Sequence, residues 1–516
     1  MSALVSAAGA KALDVEASAH WGLNSFALVE AAGRVCAESL LRVAKINKKK
    51  NCLLAVFAGS GNNAADALVM LKSLILNGYA KAGNCQVFCA KLPPASADGP
   101  LPYAVLAAQK LGVPVTAWDP HAAAAALAKA DAAIDGIAGT GLDGPLRGIA
   151  REMAEALNAS ALVKDGPRIV SIDMPSGNFD GWGPGMPIVA AHATLAIEPQ
   201  KLCLYCPSAR PYAGEIVPVG GVFPPALIEK YREAELVSWE YASGLIPPVP
   251  KTAYKHERGL VEIRAGSPGS AGAALLAALG AQAAGAGLVR LIVDPSLYSV
   301  VAPACSGIMA VPDDASCAAE NSRFAPDAVL LGPGWGRGEA RLRLLESCLP
   351  LEKQGIPLVL DADAIALSKD IVFNGNAIIT PHAGEFSAVS GFSKDEILKD
   401  PVPLLRRYAA EEKVHILLKG HVLYAASPDG RIGIIDGMNP ALAAGGSGDV
   451  LAGFCAAIMA RCGDSGLWWQ CACAAASLLM RAAEADGVGG TFFDPAKLAP
   501  AAAAIAGSAW LRKEAL

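Results

Sequence analysis

Charge is scarce in this 516-residue chain: 18% of residues are Asp, Glu, Lys or Arg, and the formal net charge is -5. Such a balance excludes the broad basic surface that holds nucleic acid and the polybasic run that docks on anionic membranes. Aromatic residues are scarcer still, at 6%, although apolar residues reach 53%. The apolar share is therefore made of small side chains and alanine-rich helices. Paired cysteines are missing too. The 13 cysteines are dispersed, and the nearest neighbours, Cys203 with Cys206 and Cys471 with Cys473, face no second pair at zinc-like spacing. Dispersed thiols fit a reducing cytoplasm. No leader is expected, because MSALVSAAGAKALD lacks a basic flank before a long apolar core. One uncharged stretch, 265–289, is long enough to span a bilayer. Its Pro268, Gln282 and glycines, with little Leu, Ile or Phe, make it a buried loop and helix instead.

What is present alternates. Short apolar runs at 52–58, 86–90, 113–118, 132–135 and 168–173 are expected as strands, with helices over 64–76, 102–111, 121–129 and 146–157 between them. This is the pattern of a parallel sheet covered on both faces, whose ligands sit beyond the carboxyl ends of the strands. Glycine and polar residues cluster at those ends: GSGNNAAD (59–66), DGIAGTGL (135–142) and DMPSG (173–177). Singly, each has a plain reading as a turn or a helix cap; three in one sheet point to a binding site. An Asn oxygen, a carboxylate, a hydroxyl and carbonyls there suit a hard cation, and Asp135 could also shuttle a proton. Around 236–257 the pattern breaks at Ile246-Pro-Pro-Val-Pro250, so the expected domains are 1–235 and 258–516 with a linker between. Alternation then resumes, with strands expected at 260–265, 288–293, 328–332, 358–361, 377–380 and 415–419, and long helices over 271–286, 340–349 and 467–485.

The second half ends in NPALAAGGSGDVLAG (439–453). Its glycines let the backbone turn tightly and approach a ligand. The helix starting near Ser447 aims unpaired N–H groups and a positive dipole end into the loop, which makes an anion site. Asp449 beside it either caps the helix or takes a proton from a hydroxyl that attacks phosphorus. Lys419, after an apolar run, could reach a nucleotide phosphate. His382, in a loop between Pro381 and Ala383, does not read as a core histidine.

Over most of 254–485 the chain resembles the ribokinase-like ADP-dependent NAD(P)H-hydrate dehydratases. The resemblance rests on GSPGSAGAALLAALGAQAAGAGLV (266–289), LLGPGWG (330–336), LDADAI (360–365), TPHAGEF (380–386), LLKG (417–420) and the 439–453 loop. The first half resembles the NAD(P)H-hydrate epimerases through LVEAAG (28–33), GSGNNAAD, DGIAGTGLDGPLRG (135–148), SIDMPSG (171–177) and EPQK (198–201). The expected fold is thus a Rossmann-like α/β/α domain followed by a ribokinase-like α/β/α domain. The resemblance implies ADP-dependent dehydration of (S)-NAD(P)HX, with release of AMP and phosphate, and interconversion of the R and S epimers. It implies ADP as co-substrate, magnesium, and potassium held by Asn63, Asp135 and Ser176. It assigns hydrate contacts to Asn62, Asn63, Asp66, Gly139, Thr140, Gly141, Leu142, Asp143, Gly144, Pro145 and Asp173 in the first half. In the second half Gly334 and His382 would line the hydrate site, with Asp449 as catalytic base and Asp135 as the catalytic carboxylate of the first. ADP would lie on Lys419, Gly420, His421, Val422, Leu423 and Asn439, with Gly445, Gly446, Ser447 and Gly448 around the transferring phosphoryl group. A cytoplasmic homo-oligomer with no nucleic-acid or membrane partner is expected.

Two departures stand out. Where the epimerase pattern reads NNGGDG, this chain has Asn62-Asn63-Ala64-Ala65-Asp66-Ala67. If those glycines serve positive φ or close approach, the alanines would strain or crowd the loop and weaken the epimerase. Near the nucleotide, Lys419-Gly-His-Val-Leu lacks a usual threonine, which should tune ADP affinity. The alternative is a small-molecule kinase of the ribokinase superfamily carrying a non-catalytic first domain for binding or oligomerisation.

Overall fold

A computed structural model describes residues 1–44, 52–94, 96–314, 324–485 and 494–514. The chain divides into two compact units, Ala3–Ala234 and Glu235–Leu516, the second joined by Met1–Ser2.

In the first unit, seven short apolar segments form one sheet. They are β1 (Leu54–Ala58), β2 (Cys85–Cys89), β3 (Val115–Ala117), β4 (Ala132–Gly136), β5 (Arg168–Ile172), β6 (Ala193–Ile197) and β7 (Glu215–Val219). The spatial order is β3-β2-β1-β4-β5-β6-β7, every pair parallel. β1 and β4 are wholly buried, as strands with helices on both faces must be. The chain order reverses between β1 and β4, so the crevice opens there. The two loops leaving that point touch: Gly59 donates its N–H to the Gly136 carbonyl at 3.0 Å. A Cβ on Gly59 would stand 1.8 Å from the Ile137 oxygen, so only glycine fits. Three helices border the crevice: α1 (Ala7–His20), capped by Ser6, α2 (Ser25–Val43), capped by Asn24, and α3 (Asn62–Leu76). Neither α1 nor α2 belongs to the alternation read from the sequence, which began at residue 52.

The second unit holds β8 (Ala234–Leu236), β9 (Leu260–Arg264), β10 (Leu288–Val293), β11 (Met309–Pro312), β12 (Ala328–Leu331), β13 (Leu358–Leu360), β14 (Ala377–Ile379), β15 (His415–Leu418), β16 (Val422–Ala426) and β17 (Ile432–Asp436). Their order is β11-β10-β9-β12-β13-β14-β15-β16-β17-β8. All pairs are parallel except the β15–β16–β17 meander. Its helices include α4 (Ala271–Ala283), α5 (Ala383–Ser390) and α6 (Ser447–Cys462). Helices α4 and α6 approach each other to backbone contact. A Cβ on Gly453 would meet the Ala277 carbonyl at 2.1 Å, and one on Gly280 the Val450 carbonyl at 2.5 Å. This is why the uncharged 265–289 stretch is so rich in glycine and alanine: its helix is pressed against a neighbour with no room for larger side chains. Among the described residues, no helix is long and apolar enough to cross a membrane.

The span 236–257, expected as a linker, is partly built into the second unit. Glu235 and Leu236 pair with Gly433 and Ile434. A helix, Trp239–Leu245, comes next, and Val237, Ala242 and Ile246 are buried in the same core as Trp469. Alternating charge and proline hid a strand too short to show a period.

Candidate functional sites

The first unit encloses a cavity of about 650 Å³ at the β1/β4 crevice. Of the residues expected there, Asn62, Asn63, Asp66, Gly139, Thr140, Gly141, Leu142 and Asp173 line it. Asp143, Gly144 and Pro145 do not; Asp143 lies outside, paired with Lys11 at 2.5 Å. Asp173 adopts φ 66°, a conformation that Asp tolerates better than most residues. Its carboxylate accepts from Lys201 Nζ at 2.5 Å, both side chains almost fully buried, and Lys201 also donates to the Ile197 carbonyl at 2.9 Å. Asp66 is walled in: Oδ1 has no hydrogen-bond partner, and burial, with Asp173 nearby, pushes its carboxyl well above the usual range. Lys201 and Asp14 also line the cavity and were not among the sequence candidates. EPQK already contained Lys201; nothing local marked Asp14.

Asp135 departs from its expected catalytic role. It is 0% exposed and accepts four hydrogen bonds, from Ser176 Oγ (2.5 Å), Ser171 Oγ (2.7 Å), Ser176 N (2.9 Å) and Ile137 N (3.3 Å). A carboxylate enclosed in this way does not line the cavity; it fastens β4 to the 173–177 turn. Burial raises its pKa against those hydrogen bonds. Among the described residues, no three His, Cys, Asp or Glu side chains gather as a metal site. A potassium ion needs oxygen donors of any kind rather than such a cluster, and the donors present suit one. Asn63 is buried with both amide atoms unpartnered, and the position of a Cβ on Gly139 is 3.3 Å from it. Ser176 Oγ stands 3.0 Å from the Ala138 carbonyl.

Ala64, Ala65 and Ala67 sit in the first two turns of α3, fully buried. None has positive φ, so the expected backbone strain does not arise. Crowding is relieved opposite: a Cβ on Gly136 would lie 2.8 Å from the Ala67 Cβ, and glycine leaves that room.

In the second unit the polar groups gather at the carboxyl ends of β12 to β15. Asp361 comes directly after β13 and is 1% exposed; it accepts from Thr380 Oγ1 at 2.7 Å and Lys419 Nζ at 2.6 Å. Burial opposes the Lys419 charge, but Asp361, Glu385 and Asp449 outweigh it and raise the pKa. Lys419 is therefore committed to Asp361. It lies directly under the anion loop, 3.3 Å from where a Cβ of Gly448 would stand. Val422 and Leu423 differ from it in being 1% and 2% exposed in β16, so their side chains fill the core and only their backbone can meet a nucleotide. His382 caps α5, its Nδ1 accepting from Gly384 N at 2.9 Å, and its ring is 61% exposed. Gly334 has φ 56°, and a Cβ there would strike Ser270 at 2.7 Å, so the GPGWG turn lies against the start of α4.

Gly446, at φ 103°, ends the loop and starts α6; Asp449 is its third residue. A Cβ on Gly445 meets nothing within 4 Å. Ser447 Oγ donates back into the loop, to the Leu442 and Ala444 carbonyls at 2.9 and 3.1 Å. It holds the loop's shape, leaving its backbone for a ligand. Asn439 does similar work, accepting from Ala441 N at 3.0 Å. Burial, then the negative charge of Asp361, raises the Asp449 pKa to about 7, with Lys419 pulling the other way. Half-buried at a helix N-terminus, Asp449 is poised near neutrality, as a general base should be.

Both halves match known families. Residues 261–489 match the NAD(P)H-hydrate dehydratase family and residues 25–203 the YjeF-related protein N-terminus family. The bifunctional NAD(P)H-hydrate repair enzyme of Moorella thermoacetica is 30% identical over 478 residues, 88% of this chain and 87% of that protein. Its counterpart in Gloeobacter violaceus is 32% identical over 449 residues, 81% and 83% of the two chains. Among solved structures, the ADP/ATP-dependent NAD(P)H-hydrate dehydratase of Bacillus subtilis, crystallised with ATP and Mg²⁺, is 26% identical, with a TM-score of 0.48 over 54% of this chain and 98% of that one. The family and relative matches describe a repair enzyme, not a small-molecule kinase carrying a non-catalytic first domain for binding or oligomerisation. The chain belongs to the family of bifunctional NAD(P)H-hydrate repair enzymes.

Proposed function

We propose that this protein repairs hydrated nicotinamide cofactors, NADHX and NADPHX, in two steps. The dihydronicotinamide ring contains an enamine, and hydration puts the hydroxyl on the carbon next to the ring nitrogen. In the second unit, Asp449 takes the proton of that hydroxyl in the S epimer while its oxygen attacks the terminal phosphorus of ADP. AMP leaves. The nitrogen lone pair then expels phosphate, and loss of a proton from the neighbouring carbon restores NAD(P)H. Backbone amides of the 445–448 loop hold the transferring phosphoryl group, and the Lys419–Asp361 pair steadies the charge beneath it. The hydrate lies against Gly334 and His382. Magnesium would come with the nucleotide phosphates, its usual manner of binding, and would neutralise their charge.

In the first unit, the cavity lined by Asn62, Asp66, Thr140 and Asp173 takes the hydrate and interconverts its epimers. Potassium would be held by Asn63, Asp135 and Ser176, with the Ala138 carbonyl beside Ser176 Oγ, joining the start of α3 to the 138–142 loop. A homo-oligomer in the cytoplasm completes the reading, supported there by the dispersed thiols. What carries the proposal is the Asp449 carboxylate, raised to about 7 beside an anion loop in a chain of this family. The test is a mixture of R and S NADHX with ADP, magnesium and potassium, monitored by NADH absorbance. Complete recovery faster than spontaneous epimerisation is expected. A burst that stops at the S fraction would remove the epimerase, and no ADP-dependent NADH would remove the whole reading.

A further inference from the structure

Four carboxylates line the cavity of the first unit: Asp14, Asp66, Asp173 and Glu198. Their surroundings set them apart. Asp173 is bound to the buried Lys201 at 2.5 Å, so its carboxylate is committed to that cation. Asp66 is almost fully buried, and burial pushes its carboxyl well above the usual range. Glu198 accepts from Gly221 N at 3.0 Å at the rim. Asp14 differs from all three. No hydrogen bond holds its carboxylate among the described residues, and it is open to the cavity solvent. It stands on a helix fixed from its start: Ser6 accepts from Gly9 N at 3.0 Å, and Asp180 accepts from Ala7 N and Ala8 N at 2.9 and 3.1 Å. Lys11, one turn earlier, is taken by Asp143 and does not neutralise it.

Resting on the epimerase reading above, we infer that Asp14 is the proton-transfer residue of the first unit, the group that makes the hydrate's hydroxyl leave and return. The Asp14 carboxylic acid protonates the hydroxyl; the C–O bond breaks as water departs and the ring nitrogen lone pair forms the C=N bond of an iminium. Water then adds to the opposite face of that carbon, the C=N electrons return to nitrogen, and the proton released goes back to the Asp14 carboxylate. Protons and electrons balance without another reactant. Partial burial, opposed by the Lys201 charge and helped by that of Asp173, raises Asp14 to about 6, within reach of both forms near neutrality.

The test uses the full chain with purified R epimer and no ADP, reading the R:S ratio by chromatography after subtracting the spontaneous rate. Asp14→Asn is expected to lower kcat by about 10²-fold, with KM within about twofold of wild type by the same differential-binding logic. Asp14→Glu should keep most of the activity. Wild-type kcat should fall as pH rises through about 6, and this limb should vanish in Asp14→Asn. ADP-dependent dehydration of the S epimer, carried by the other unit, reports that each variant is folded. Unchanged kcat and pH limb in Asp14→Asn would overturn the inference. So would a loss that Asp14→Glu shares equally, which would mark a structural role. Wild type that epimerises no faster than the spontaneous reaction would overturn the epimerase reading itself, and the inference with it.

Discussion

At the scale of residues, the second unit sets two carboxylates in opposite environments. Asp361 is neutralised by Lys419, and Asp449 is left raised to about 7 by burial and by Asp361. A carboxylate held near 7 is protonated below that pH and becomes a base above it. Dehydration should therefore rise with pH through about 7, and Asp449→Asn should lose about 10²- to 10⁴-fold in kcat without any loss of stability, since burial already disfavours the ionised carboxylate. Assaying NADH formation across pH checks both. Lys419→Met leaves a 1%-exposed Asp361 without its cation and should cost about 3–5 kcal/mol in denaturant unfolding. Adding Asp361→Asn should recover most of that, since the uncompensated charge is then gone. Asp449 was legible from sequence because its setting is local, a carboxylate in the first turn of the helix that follows the glycine loop. The Lys201–Asp173 and Lys419–Asp361 pairs were not, since each joins residues from separate strand ends.

At the scale of elements, the anion loop is aimed by the packing of α6 on α4. Gly453 makes that contact, and a methyl group there would stand 2.1 Å from a backbone oxygen. Gly453→Ala should therefore destabilise by about 1–3 kcal/mol or more, lowering the thermal midpoint and turnover together as the helix is pushed outward. Gly445→Ala meets nothing within 4 Å and should shift stability by no more than about 0.5 kcal/mol. Its methyl group enters the space where the phosphoryl group is proposed to lie, so ADP-dependent turnover should fall without loss of fold. Calorimetry and kinetics on the two variants separate aiming from contact. The strand and helix alternation was readable because parallel strands are continuous apolar runs. The glycines that brace α4 on α6 were visible as composition only; which atoms they spare depends on the crossing of two helices.

At the scale of the whole molecule, the second unit begins before the proline-rich segment that was expected to precede it. A fragment starting at Arg258 loses β8 and the Trp239–Leu245 helix, uncovering the edge of β17 and the surface around Trp469. It should melt about 5 °C or more below a fragment starting at Glu235, from the usual relation of stability to melting temperature, and should aggregate through the bared edge. Thermal melts with light scattering on both fragments decide it. The sequence alone determined the two-fold α/β plan and the place of the glycine loop with Asp449 beside it, because periodicity and glycine placement are written in consecutive residues. It also determined the family, through motifs in a shared order. Only the tertiary structure decided which carboxylates are free to act. Asp135 carries the motif but is closed by four hydrogen bonds, whereas Asp14 carries none and opens to the cavity. Burial and partnership arise between residues far apart in sequence, and they set a carboxylate's charge and reach more strongly than its neighbours along the chain.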